Sequence, residues 1–69
     1  MATIRNEIRR LRFENGEMTQ QELADKISVT RQTVNAIEQG KYSPSLEVAF
    51  RIATVFAQPL ESVFHYSKD

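Results

Sequence analysis

The stretch Thr19 to Gly40, TQQELADKISVTRQTVNAIEQG, predicts two short helices joined by a tight turn. Thr19 stands three residues before Glu22, the spacing at which each side chain satisfies the other's free backbone N–H group. A first helix should therefore begin at Gln20, and its apolar pattern continues to about Ile27.

The second helix of this stretch has its own start and stop signals. Thr30 offers an N-cap hydroxyl after the break at Ser28, and Gly40 can take the left-handed backbone conformation that ends a helix. The turn is then about three residues long, which forces the second helix to cross the first steeply, as in a helix-turn-helix unit.

The apolar positions agree with this crossed packing. Leu23, Ala24 and Ile27 line one side of the first helix, while Val34 and Ile37 share one side of the second. Ala24 is informative because two closely crossing backbones tolerate only a small side chain at their contact.

The opposite stripe of the second helix faces outward in this arrangement and consists of Arg31, Gln32, Asn35, Ala36 and Gln39. A solvated polar face is one interpretation. Its chemistry favours base recognition instead, because Arg31 can pair bidentately with guanine, Gln32 and Asn35 can do so with adenine, and Ala36 can contact a thymine methyl. The first turn of such a helix is the part that enters the major groove.

Four motifs carry a resemblance to a known family. They are T-Q-x-E-L-A from Thr19, V-T-R-Q-T-V from Val29, I-E-x-G-K from Ile37 and P-S-L-x-x-A from Pro44. With them the chain resembles the lambda-repressor-like or XRE family of bacterial and phage regulators over nearly its whole length. The resemblance implies an all-α fold of about five short helices around a central helix-turn-helix, which is usually dimeric.

The resemblance also implies roles for individual residues. An Arg12–Glu38 ion pair would tie the first helix of the chain to the end of the base-reading helix, and four residues would approach phosphates: Gln20, Thr33, Lys41 and Tyr42. For Tyr42 a ring packed over the loop is the alternative. The full set predicted to bind double-stranded DNA is Gln20, Thr30, Arg31, Gln32, Thr33, Asn35, Ala36, Gln39, Lys41 and Tyr42. Ser28 departs from the family, which often has Gly at that turn position.

Composition limits the other possibilities. A chain of 69 residues predicts one small domain over 1–69, and the absence of Cys fits a reducing cytoplasm in a bacterium, phage host or archaeon. No apolar run is long enough for a membrane span. The net charge of zero counts against a nonspecific nucleic-acid binder and favours a sequence-selective one.

The flanking segments complete the predicted bundle. A helix is expected from Ile4 to Glu14, with the hypothesis that Met1 to Thr3 pair with the C-terminal tail as a short ribbon. Arg5, Arg9 and Arg10 on this helix either contact phosphates or form a solvated face. A helix from Leu46 to about Ala57 is apolar nearly all round, which predicts burial on most sides.

Pro59 predicts a last short helix from Leu60 to Phe64. Leu60, Val63 and Phe64 exceed what one small core can accept, so residues 60–66 are interpreted as a dimerisation segment, with Leu60, Val63, Phe64 and Tyr66 at the interface. A homodimer would place two base-reading helices on a near-palindromic site.

The sequence offers few residues that are suited to catalysis. His65 is the only histidine, without a second His or a Cys to form a metal site, and there is no glycine-rich phosphate loop. We therefore expect no enzyme activity, no metal, no cofactor and no small-molecule ligand. The predicted function is a transcriptional regulator that acts as a repressor. The alternative is a DNA-binding antitoxin or a protein-interaction subunit of a larger complex, although the short tail after Phe64 favours a stand-alone regulator.

Overall fold

A computed structural model describes residues 3–67 and places five helices between two short strands. The elements are β1 (Thr3–Asn6), α1 (Ile8–Glu14), α2 (Gln20–Ile27), α3 (Arg31–Glu38), α4 (Leu46–Val55), α5 (Leu60–Val63) and β2 (Phe64–Ser67). The predicted helical bundle is confirmed, with a minor two-stranded sheet in addition. None of the helices in this range has the length and apolar character needed to span a membrane.

The two strands form an antiparallel ribbon. Thr3 lies opposite Ser67, and Asn6 lies opposite Phe64. The hypothesis placed the ribbon at Met1 to Thr3, whereas the observed pairing occupies residues 3–6. Residues 1 and 2 lie outside the described range.

Helix α1 therefore begins later than predicted, and the helical assignment of residues 4–7 was wrong. The main chain of residues 4–6 pairs with β2, and the Asn6 Oδ1 atom accepts a hydrogen bond from the Ile8 backbone N–H at 3.2 Å, which starts the helix there. Ile4 is 45% exposed on the ribbon, while Ile8 is fully buried.

The ends of α2 and α3 follow the predicted capping chemistry. The Thr19 hydroxyl accepts from the Glu22 N–H at 3.0 Å, and Glu22 Oε1 accepts from the Thr19 N–H at 2.8 Å. The Thr30 hydroxyl accepts from the Thr33 N–H at 3.1 Å. Ser28 has φ of 61°, so a non-glycine residue takes the left-handed conformation at the turn, at a cost of about 1 kcal/mol.

Two helix ends close with paired backbone hydrogen bonds around a left-handed residue. At Gly40, φ is 74°, and the N–H groups of Gly40 and Lys41 donate to the carbonyls of Ile37 and Ala36. Ala57 has φ of 53° and closes α4 in the same way, so this helix ends at Val55 and not at Ala57 as predicted.

One hydrophobic core joins the helices, and the ribbon lies at its edge. Its members are Ile8, Leu11, Leu23, Ala24, Ile27, Val34, Ile37, Ile52, Ala53, Phe56 and Val63. Helix α4 contacts α2 and α5, and this covers only the side of the helix that carries its buried residues. The prediction that α4 is buried on most sides was wrong, because Leu46 is 67% and Phe50 is 52% exposed.

Candidate nucleic-acid interface

The polar stripe of α3 faces outward because the opposite side of the helix is buried in the core. Val34 and Ile37 lie in the core with α2, so rotation of α3 about its axis would expose both to water. Full burial of side chains of this size stabilises a fold by about 1.5–3 kcal/mol each. The orientation of the polar stripe is therefore fixed by packing.

Arg31 and Gln32 begin this stripe and are both exposed. Neither side chain has a hydrogen bond or an ion pair to any of the described residues. Two long donor-bearing side chains thus project from the first turn of α3 with their hydrogen-bonding groups available. The hydroxyls of Thr30 and Thr33 lie beside them, 3.0 Å apart.

Further along α3, amide side chains contact one another. The Gln20 Nε2 atom donates to Asn35 Oδ1 at 3.2 Å and lies 3.4 Å from Glu38 Oε1. The Gln39 Nε2 atom donates to the same Asn35 Oδ1 at 3.3 Å. Asn35 is half-buried, and its Oδ1 atom accepts hydrogen bonds from two side chains, whereas Arg31 is exposed and has no such contact among residues 3–67.

The end of α3 is tied to α1 by the ion pair that the resemblance implies. Arg12 Nε lies 2.7 Å from Glu38 Oε2, and Arg12 Nη2 donates to Glu38 Oε1 at 3.0 Å. The third guanidinium nitrogen, Nη1, donates to the Met18 carbonyl at 2.7 Å. These side chains are only 14% and 8% exposed, so the Glu38 carboxylate does not contribute an open negative charge to the α3 surface.

The loop after α3 carries two of the residues that are predicted to contact phosphates, Lys41 and Tyr42. Lys41 is exposed, and because its backbone N–H closes α3, its ammonium group is the part available to a phosphate. Tyr42 is 53% exposed and lines a shallow groove with Gly40 and Pro44. More than half of Tyr42 thus faces solvent, and its contact with a phosphate stays a prediction.

Two polar side chains that the sequence did not single out also support the helix pair. The Asn6 Nδ2 atom donates to the Ile37 carbonyl at 2.9 Å, which links the ribbon to the last turn of α3. Arg51 Nη1 donates to the Ile27 carbonyl at 3.2 Å and so caps the end of α2. No local pattern marks these residues, because each contact joins segments more than twenty residues apart.

The basic residues of α1 are partly neutralised. Arg10 lies 3.1 Å from both Glu7 and Glu14, and its hydrogen bond lowers the pKa of Glu7 below the ordinary value. His65 Nε2 lies 3.2 Å from the other oxygen of Glu7. This arrangement favours the solvated-face interpretation for Arg10. Within residues 3–67, no cluster of three or more His, Asp and Glu side chains is arranged to hold a metal ion.

The residues predicted for a dimer surface do not lie together on the exterior. Val63 is fully buried in the core of its own chain, so its assignment to the interface was wrong. Leu60 and Phe64 pack against that core and are half-buried, while Tyr66 is 66% exposed. The core accepts Val63 because the short α5 ends there and the chain turns into β2.

The fold and this surface define a helix-turn-helix protein, and comparison with known proteins agrees. A family model described as helix-turn-helix matches residues 8–63. A relative from Methanothermobacter thermautotrophicus, an uncharacterised HTH-type transcriptional regulator, is 46% identical over 67 residues, covering 96% of each chain. An uncharacterised HTH-type transcriptional regulator of Methanocaldococcus jannaschii is 52% identical over 52 residues, covering 75% of this chain and 79% of the relative.

A bacterial relative is equally informative. The uncharacterised HTH-type transcriptional regulator YgzD of Bacillus subtilis is 43% identical over 61 residues, covering 88% of this chain and 91% of the relative. The chain therefore belongs to the XRE-type helix-turn-helix family of transcriptional regulators.

Proposed function

We propose that the chain is a sequence-specific double-stranded DNA-binding regulator that inserts α3 into the major groove. The observation that carries this proposal is the state of Arg31 and Gln32, which are exposed in the first turn of α3 and have no partner among residues 3–67. Arg pairs bidentately with guanine and Gln with adenine, so both side chains suit base edges.

Phosphate contacts would fix the position of α3 on the duplex. Lys41 supplies a cation just beyond the end of α3, and Thr33 supplies a hydroxyl within its first turn. The N-terminus of α2 adds backbone N–H groups that suit an anion, including that of Gln20. The near-zero net charge of the chain keeps nonspecific binding modest, so base contacts decide the site.

We further propose a homodimer whose two copies of α3 read half-sites about one DNA turn, roughly 34 Å, apart. Support comes from the exposed apolar side chains around the ribbon and the start of α4, namely Ile4, Leu46, Phe50 and Tyr66. Of these, Ile4 and Leu46 line an apolar groove together with Leu60 and Phe64. Such a dimer would occupy its operator to the exclusion of other proteins, so repression is the proposed outcome, in the cytoplasm where the chromosome lies.

Selection of bound sequences from a random duplex pool tests the proposal. The expected result is one consensus with two-fold symmetry whose half-sites are about 10 base pairs apart. A pool that shows no enrichment would refute sequence-specific binding. An asymmetric consensus would refute the dimer alone, and copurification of an unrelated chain would instead favour the interaction-subunit alternative.

A further inference from the structure

The amide contacts on the α3 surface form a directed chain of hydrogen bonds that starts at the ion pair. Glu38 is held by Arg12 and, as a carboxylate, offers only acceptors. The Gln20 amide approaches it at 3.4 Å and must therefore present its NH₂ group. One carboxylate, only 8% exposed, thus sets the orientation of the first amide.

The same logic fixes the next two amides. The NH₂ group of Gln20 meets Asn35 at 3.2 Å, so Asn35 must turn its carbonyl oxygen toward it. Gln39 lies 3.3 Å from that same oxygen and must present its own NH₂ group. Each orientation follows from the one before it, because an amide has donors at one end and acceptors at the other.

We call this chain of hydrogen bonds, from Glu38 through Gln20 and Asn35 to Gln39, the amide relay. We infer that the relay makes Asn35 a donor-only side chain toward DNA and thereby sets the base that Asn35 accepts. The inference rests on the proposed function and extends it to one base pair of each half-site. Asn35 Oδ1 accepts from both Gln20 and Gln39, while Asn35 Nδ2 has no partner among residues 3–67.

The base preference follows from the groove edges. Asn reads adenine by accepting from N6 and donating to N7 together, and the relay takes away the acceptor. A lone donor is satisfied by guanine, which offers O6 and N7, or by thymine, which offers O4. The adenine contact predicted for Asn35 from the sequence would therefore require the relay to break.

The relay also changes the role of Gln20. Its Nε2 atom lies within hydrogen-bond distance of two protein acceptors, and its remaining oxygen cannot donate to a phosphate. Gln20 is then a positioning residue for Asn35, and its contact with a phosphate is limited to its backbone N–H at the start of α2.

The test is sequence selection with matched variants. Asn35→Ala identifies the base pair that residue 35 reads, because preference is lost there only. At that position the parent protein should favour guanine or thymine over adenine by about fivefold. Asn35→Asp keeps the oxygen for the two glutamines but replaces the outward donor with an acceptor, so preference should move to a base with an amino group, cytosine or adenine.

Removal of the relay should have the opposite effect on adenine. Gln20→Ala combined with Gln39→Ala frees Asn35 Oδ1 and should raise acceptance of adenine at the same base pair. Gln21→Ala is the matched control, because its amide donates to Asp25 at 2.9 Å, outside the relay. An adenine preference in the parent, or an unchanged preference in Asn35→Asp, would overturn the inference while leaving the proposed function intact.

A measurement without DNA separates the relay from the proposed function. In the free protein the Gln20 side-chain NH₂ protons should exchange with water about fivefold more slowly than those of Asn35, and Asn35→Ala should speed the exchange of the Gln20 protons because it removes one of their acceptors. Equal exchange rates in the parent would overturn the relay. If selection yields no consensus, the proposed function fails and the base preference fails with it, whereas slow exchange would still establish the relay.

Discussion

Arg12 and Glu38 meet at two points, with Nε 2.7 Å from Oε2 and Nη2 3.0 Å from Oε1, although 26 residues separate them. The pair joins α1 to the last turn of α3 and also orients the amides on the α3 surface. Burial of two charges offsets much of their attraction, so the pair contributes more to the placement of α3 than to net stability.

Loss of one partner should nevertheless be costly. The Arg12 side chain is only 14% exposed, and Glu38→Ala removes the carboxylate that pairs with it. This substitution should lower the free energy of unfolding by about 3 kcal/mol or more. Chemical denaturation followed by circular dichroism measures this directly. Glu14→Ala is the matched control, because it removes a carboxylate from the exposed pair with Arg10 and should leave stability nearly unchanged. Equal losses in the two variants would contradict the structural role of the buried pair.

The proposed recognition of bases by the first turn of α3 gives a second prediction. Arg31→Ala and Gln32→Ala should each weaken binding to the selected site by about 1–3 kcal/mol. Stability should not change, since both side chains are exposed and unpartnered within residues 3–67. Titrations on the selected duplex and on a scrambled duplex measure the effect. A variant that loses the same affinity on both duplexes would show that its side chain does not read bases.

The proposed contact of Lys41 with a phosphate gives a third prediction. Lys41→Ala should weaken binding to all sequences alike and reduce the slope of log K against log salt by about one unit. Arg10→Ala is a suitable control, because this cation is already shared between Glu7 and Glu14 away from α3. If the salt slope of Lys41→Ala matches that of the parent, Lys41 makes no phosphate contact.

The helix-turn-helix could be predicted from sequence because its signals are local. The Thr19 capping box, the Thr30 cap and Gly40 each act within a few residues, and the periodic apolar positions from Leu23 to Ile37 identify the buried side. The ribbon was misplaced because strand pairing between the two ends of the chain has no local signature. The helical spacing of Ile4 and Ile8 was compatible with a helix that the pairing prevents.

The surface was harder to predict than the core. An apolar helical wheel does not reveal how many neighbours a helix has. The core of this small domain does not extend around α4, so Leu46 and Phe50, which were predicted to be buried, are exposed. The polar stripe of α3 was predicted residue by residue, but contacts between its side chains were not. Asn35 looks equivalent to Gln32 in the sequence, and only tertiary placement of Gln20 distinguishes them.

The proposed dimer gives a fourth prediction. Tyr66→Glu places a charge on the exposed ribbon and should convert dimers to monomers at micromolar concentration, because burial of an unpaired charge at an interface is costly. Multi-angle light scattering measures the mass. Phe13→Glu is the matched control, since Phe13 is a similarly exposed aromatic on α1, at 68% against 66%. If both variants remain dimeric, the interface does not include the ribbon.

The capping box of α2 gives a pH-dependent prediction. The Thr19 backbone N–H donates to Glu22 and lowers the pKa of that carboxyl below its ordinary value of 4.5. Because the pKa of Glu22 is lowered in the folded state, its ionised carboxylate contributes fully to stability above the unfolded-state pKa. This contribution is lost as the pH falls through the folded-state pKa. Glu22→Gln retains a capping acceptor but cannot titrate. Its melting temperature should therefore fall less than that of the parent between pH 6 and about pH 3, as measured by thermal melts at both values. If the melting temperatures of the parent and of Glu22→Gln fall by the same amount, the Glu22 carboxylate does not contribute to acid sensitivity.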